Sequence, residues 1–406
     1  MASLPRRLLL TAVASAIALA AGEFGARKLY GSGFASVVDV YEHHPYRAFA
    51  HYRDTNGREV VTNELGWKDA AARRVAKKSP GIRVVVLGDS FVEGLGLADE
   101  ETIPRIAERT LRRRGHDVEV LNGGRVSFSP LLEYQRLKRF LAAGYQTNYV
   151  VVLPDVSDVQ DELSYAEQFT HSSSGEPLRL RGAIENPLLR GAYNHSALLR
   201  SLRRIQQAAV GRALPAAALP AGSSETERQR AHDELAKIAP DAVLDEIDQM
   251  SGTTLRVLRA NWMLHPPSLR GWAGRGLRSL VSNLQRIGTL CRREQISMVV
   301  VVYPWPQMVY GSRDLARYSE LRNRFGSWFL ERELVADRQP SPAPTAYETA
   351  ILAACDHLDA KCVTVVDEFR AVPQWERLFQ PGDIHLSPAG NRLVADAIVN
   401  AVSASS

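Results

Sequence analysis

Five short apolar runs, each rich in β-branched residues, constrain this chain more than any other feature. They are Ile82–Leu87, Val118–Leu121, Tyr149–Leu153, Ile296–Tyr303 and Cys362–Val366. Runs apolar on both faces read as strands buried between two helical layers. Helical patterns fall between them at Glu101–Arg114, Leu131–Ala143 and Trp272–Glu294. In the last of these, Leu277, Leu280, Val281, Leu284, Ile287 and Leu290 make one apolar stripe. A final helix is expected from Pro388, with Ser387 as its N-cap. The alternation predicts an α/β chain, a three-layer α/β/α sandwich on a five-stranded parallel sheet.

That spacing breaks once, between Asp155 and Gln295, where one crossover helix would need far fewer residues. A large, mostly helical insertion is expected there, at about 160–270, with helical stretches at Ser196–Val210 and Glu225–Met250 around a flexible break, Ala213–Ser224. Residues 81–406 then form one domain. The segment 31–80 before it reads as irregular, and Arg338–Thr345 as an extended proline-rich loop.

The chain has 406 residues, 45% of them hydrophobic, enough for a large core. The formal charge of +5 comes from 50 basic and 45 acidic residues. No aromatic-rich basic motif accompanies that surplus, so nucleic acid is not expected as a partner. At the N-terminus Arg6 and Arg7 precede the uncharged Leu8–Gly22, and the apolar pattern runs on through Phe24, Leu29 and Tyr30. Residues 1–30 are read as an uncleaved membrane anchor rather than a cleaved signal, with the remainder translocated. The expected location is the bacterial inner membrane, single-pass, with a periplasmic domain, or secretion if cleavage follows Ala20. An exported domain permits disulfides. Cys355 and Cys362 flank a small loop, and the sequence leaves open whether they are joined or are two buried thiols.

The first run exits into GDSFVEGLG, Gly88–Gly96. A serine at the carboxyl end of the first strand sits where α/β sheets place chemistry. Nearly 300 residues on comes DIHLSPAG, Asp383–Gly390. An acid, a histidine and a serine at strand ends are the parts of a nucleophilic triad. Between them lie NGGRVS, Asn122–Ser127, after the second run, and DVSD, Asp155–Asp158, after the third. Taken in order, these blocks resemble those of the SGNH or GDSL-type hydrolases, over roughly residues 60–165 and 295–402.

The resemblance implies a flavodoxin-like sheet and a serine esterase. Ser90 is the implied nucleophile, His385 its base, and Asp383 the group that orients His385. Asn122, Gly124, Ser127 and Ser157 occupy the oxyanion and substrate positions. Ser127 stands where the family has glycine, and its N–H still donates if the backbone conformation survives. Ser157 stands where the family has asparagine, so the oxyanion hole is altered. The implied reaction removes or transfers a small acyl group, such as acetyl, on a cell-envelope carbohydrate. That substrate class rests on the anchor, the segment Val61–Asp69 and the one-residue-spaced Asp-x-His, which resemble members associated with polysaccharide acetylation. An acyltransferase fed by a membrane partner, and a non-catalytic carbohydrate-binding or assembly protein, remain as alternatives. Activity should fall as pH drops below the pKa of His385, ~6.5 in an unperturbed imidazole.

Each of these residues also has a plainer reading. Ser90 would cap the following helix, and Asp383 and His385 would belong to a capping loop. Asp158 is read as structural, and His43 and His44 as surface residues. Pro304-Trp305-Pro306 is either a pocket wall or a packed loop. Gly94-Leu95-Gly96 lacks the third glycine of a dinucleotide loop, and no cofactor or metal is expected.

Overall fold

The computed structural model describes residues 3–30, 35–54, 57–202, 262–264, 269–326, 329 and 344–404. A 28-residue helix comes first, α1 (Ser3–Tyr30). Among the described residues, no helix is long and apolar enough to cross a membrane. The segment expected to be irregular carries a small antiparallel sheet, β1 (His51–Arg53), β2 (Glu59–Thr62) and β3 (Lys68–Asp69). Strands of two to four residues are too short to show a period in sequence. Asn63 makes their turn. Its Oδ1 accepts from Leu65 N and Trp67 N at 2.9 and 3.3 Å. The hairpin then lays Trp67 flat on Phe140, with ring centroids 5.4 Å apart.

The core alternates β4 (Ile82–Gly88), α2 (Ser90–Glu93), α3 (Ile103–Arg113), β5 (Val118–Asn122), α4 (Pro130–Ala142), β6 (Tyr149–Leu153) and α5 (Asp158–Ala166). After the hairpin β7 (Phe169–His171) and β8 (Pro177–Leu180) and the helix α6 (Pro187–His195) come α7 (Trp272–Arg293), β9 (Ser297–Val302), α8 (Ala346–Cys355), β10 (Ala360–Thr364) and α9 (Pro388–Ser403). The predicted strands and helices of the core appear within about two residues of their expected ends. Of the insertion's expected helices, 197–202 is helical, and the stretches 203–210, 213–224 and 225–250 lie outside the described residues, as does most of 338–345.

The large sheet runs β10-β9-β6-β4-β5 with every neighbour parallel. In order of the five core strands this is 2-1-3-4-5, the flavodoxin-like order. Helices α3 and α9 pack together on one face, and α7 packs on α4, α5 and α8 on the other. Every residue of β6 is buried, and Val84–Leu87 of β4 are at 0% exposure. Each such side chain contributes about 1.5–3 kcal/mol by leaving water. Arg83, the one charge in the first run, is equally buried. It bonds Glu119 on β5 at 2.7 Å and the carbonyls of Ala76, Lys77 and Gln146.

Cys355 and Cys362 are joined, with Cα atoms 6.2 Å apart. Cys362 sits in the middle of β10 rather than at its start. The strand order reverses at β4, whose chain leads to β5 on one side and later to β6 on the other. The carboxyl ends of β4 and β6 therefore open a crevice.

Candidate active site

Ser90 is the first residue of α2, directly off β4. Gly88 makes that exit possible, since a Cβ there would meet Val92 Cγ2 at 2.3 Å. Asp89 caps the helix by accepting from Phe91 N at 2.9 Å. The loop before α9 faces it. A bridge between Phe379 and Leu386 pins that loop. Gln380 Nε2 ties it to Leu95 O at 3.0 Å, joining the two halves of the site.

His385 Nε2 lies 2.9 Å from Ser90 Oγ, and His385 Nδ1 lies 2.9 Å from Asp383 Oδ1. A carboxylate only accepts, so Nδ1 carries the proton and Nε2 is free to accept from Ser90. Asp383 also accepts from the backbone N–H of Ile384 and His385. Burial opposes ionisation of Asp383, but the bond to His385 and these backbone donors hold its carboxyl below the usual carboxylate range. The imidazole lies over the Phe91 ring, with centroids 4.7 Å apart. The structure thus brings together Ser90, His385 and Asp383 across 295 residues.

The loop after β5 borders Ser90. Asn122 is buried, and its Oδ1 accepts from Gly124 N at 3.0 Å. Gly124 lies against α2, where a Cβ would meet Glu93 N at 2.3 Å. Both residues therefore shape the loop from beneath. Ser127 has φ +56°, the left-handed region natural to glycine. The glycine-like backbone has survived the side chain. Among the described residues, no acceptor lies on the N–H of Ser127 or of Ser90.

Ser157 is placed differently from its expected use. Its N–H and its hydroxyl both donate to Asp155 Oδ1. The single hydroxyl proton is committed to that turn and does not point at a reacting oxygen. Asp155 Oδ2 accepts from Tyr303 OH at 2.8 Å and from Trp305 Nε1 at 2.7 Å. Trp305, left open as wall or packed loop, is buried and tied to the floor of the crevice.

Asp89, Asp155 and Asp158 place carboxylate oxygens within 4.8 Å of one another, all buried. That is a hard-cation donor set in kind. Here protein donors occupy most of these oxygens: four on Asp155, Phe91 N on Asp89 Oδ1, and Asp155 N on Asp158 Oδ2, while Asp158 Oδ1 is buried without a partner. Burial, and next the charge of Asp155, push both Asp89 and Asp158 well up. The arrangement is one of shared protons and hydrogen bonds, and Asp158 is part of the scaffold.

Sequence reading missed the residues that hold the 125–127 loop. Buried Glu93 accepts from Val126 N at 2.6 Å, Arg125 Nη1 at 3.3 Å and Tyr46 OH at 2.6 Å. Arg125 stacks on the Tyr46 ring at 3.6 Å and bonds His44 O and Ser36 Oγ. His43 is exposed, as expected, but His44 is half-buried against this loop. The available signal was a charged residue, Glu93, inside an otherwise apolar first turn.

No family model and no curated protein matches the sequence. Among solved structures, a psychrotrophic esterase from a Pseudoalteromonas species aligns at 9% identity over 79% of this chain and 97% of that one, with a TM-score of 0.35. An SGNH-hydrolase-family esterase aligns at 14% identity over 80% and 97%, with a TM-score of 0.32. A lipase/acylhydrolase from Enterococcus faecalis aligns at 9% identity over 80% and 96%, with a TM-score of 0.35. At these identities and scores the likeness decides neither fold nor activity. The sheet order and the Ser90–His385–Asp383 geometry carry the argument.

Proposed function

We propose that the protein is a serine ester hydrolase of the SGNH type. One observation carries the reading: Ser90 Oγ, His385 Nε2, His385 Nδ1 and Asp383 Oδ1 form a hydrogen-bonded line of two 2.9 Å contacts. Such a line raises the nucleophilicity of a hydroxyl and has little purpose in a helix cap.

In the reaction, Ser90 Oγ attacks an ester carbonyl while His385 Nε2 takes its proton. The tetrahedral oxyanion meets the N–H groups of Ser127 and Ser90. The carbon–oxygen bond to the leaving alcohol then breaks as His385 returns the proton to that alcohol. Water, deprotonated by His385, releases the acid from Ser90. Asp383 stabilises the imidazolium in both halves. An acceptor hydroxyl in place of water would make the same acyl-enzyme a transferase.

The finer reading is a small acyl group on a cell-envelope carbohydrate, with the domain held at a membrane interface by α1. It is supported by the resemblance of the sequence blocks and by the apolar N-terminus. The test uses the full chain in detergent with an activated acetyl ester. Ser90→Ala should lower kcat by on the order of 10⁵–10⁶. Equal rates in both proteins, each folded, would reject the reading.

A further inference from the structure

The N–H of Ser127 and the C=O of Val126 belong to one peptide unit. That unit is planar and trans, so its two polar ends point in opposite directions. Whatever holds the carbonyl therefore aims the N–H. The group holding it is His44, whose Nε2 lies 2.9 Å from Val126 O. We propose that His44 is a positioning residue for the oxyanion donor: by donating Nε2–H to Val126 O, it fixes the peptide whose other end is the Ser127 N–H. This inference rests on the esterase reading above.

Several observations support it. A carbonyl only accepts, so the hydrogen bond sets the His44 tautomer, with the proton on Nε2. The other ring nitrogen, Nδ1, contacts His43 Nδ1. Burial, and next the charge of Arg125, lower His44 to about 3, so the ring stays neutral across the working range of the triad.

The neighbouring peptide is held as well, since Val126 N donates to Glu93 Oε2 at 2.6 Å. Val126 is thus gripped from both sides, by Glu93 on α2 and by His44 from the segment ahead of the sheet. His44 is in turn tied down through its own carbonyl, which accepts from Arg125 Nε at 3.0 Å. Its ring meets Phe128 edge-on at 5.8 Å.

The grip has strain to oppose. Ser127 is a non-glycine residue at φ +56°, a conformation L-residues disfavour. Without an external hold, the Val126–Ser127 peptide would relax toward a commoner conformation and turn its N–H away. The segment 35–54 thereby supports the oxyanion loop, and His44 Nε2 is its contact with the Val126–Ser127 peptide itself.

The test labels the full chain with [1-¹³C]valine and [¹⁵N]serine. Only the linked pairs Val126–Ser127, Val156–Ser157, Val281–Ser282 and Val402–Ser403 then give carbonyl–amide signals. His44→Ala should move the Val126–Ser127 signal and leave the other three in place. His44→Gln can put a donor near the Nε2 position and should restore the signal. In the acetyl ester assay, His44→Ala should lower kcat about 10–10²-fold with KM nearly unchanged, and His44→Gln should recover most of it. The pH profile of the reaction should keep its wild-type shape. An unmoved Val126–Ser127 signal, full kcat in a folded His44→Ala protein, or no recovery in His44→Gln would overturn the proposal. A wild-type rate no higher than that of Ser90→Ala would reject the esterase reading instead. The labelled pair would still decide whether His44 holds the peptide.

Discussion

Trp305 donates its indole N–H to Asp155 Oδ2 at 2.7 Å, so the loop after β9 is fastened to the loop after β6. The bond is buried, and the same oxygen takes the Tyr303 hydroxyl. Trp305→Phe keeps much of the ring and removes the donor. Asp155 retains three other donors, so the expected loss is about 1 kcal/mol of lost hydrogen bonding plus a small packing term. Urea denaturation of the two proteins measures it. An unchanged midpoint would mean the indole N–H contributes nothing.

Glu133 is fully buried and neither of its carboxyl oxygens has a partner. Burial, and next the charge of Glu162, push its pKa well up. The folded protein therefore keeps a proton that the unfolded chain releases above about pH 4.3, and stability falls as pH rises beyond that. Glu133→Gln removes this dependence. The variant should gain little near pH 4 and progressively more toward pH 8, read from denaturation midpoints. A gain independent of pH would contradict the linkage.

Asp383 runs the opposite way, because its folded pKa is lowered. Its contribution to stability is complete above the unfolded value of about 3.9 and is lost as pH falls through the folded value. The stability gap between wild type and Asp383→Asn should therefore be widest at neutral pH and close below about pH 4. In the ester assay the same variant should lose on the order of 10⁴ in kcat through the wrong imidazole tautomer.

Ser127→Gly should be tolerated. Glycine adopts φ +56° without penalty and keeps the backbone N–H. Expected are a kcat within a few-fold of wild type and a stability within about 1 kcal/mol. A loss of tenfold or more would assign the function to the hydroxyl instead of the N–H.

Ser157→Ala should lower kcat by less than about tenfold, well short of the 10²–10³ that follows loss of an oxyanion donor. The reason is that the Ser157 hydroxyl is already spent on Asp155. Steady-state rates on the acetyl ester decide it.

The layers and the Ser90–Asp383–His385 set were legible in local residue patterns. Residues such as Val84–Leu87 and Tyr149–Leu153 have no polar face, so they had to become buried parallel strands. Asp383 and His385 stand one residue apart just ahead of Ser387-Pro388, which starts a helix from local chemistry alone. Both signals lie within a few neighbouring residues.

What surrounds that set depends on packing between distant segments. Cys355 and Cys362 are joined because α8 and β10 set their Cα atoms 6.2 Å apart, a distance no spacing encodes. Ser157 turned to Asp155, and His44 left the surface for Val126 O. The His44 contact spans 82 residues, and Asp155, which takes the Ser157 hydroxyl, is itself held by Tyr303 and Trp305, 148 and 150 residues away. A hydrogen bond is settled by the position of two atoms, and only the packed sheet and its neighbouring segment bring those atoms to 3 Å.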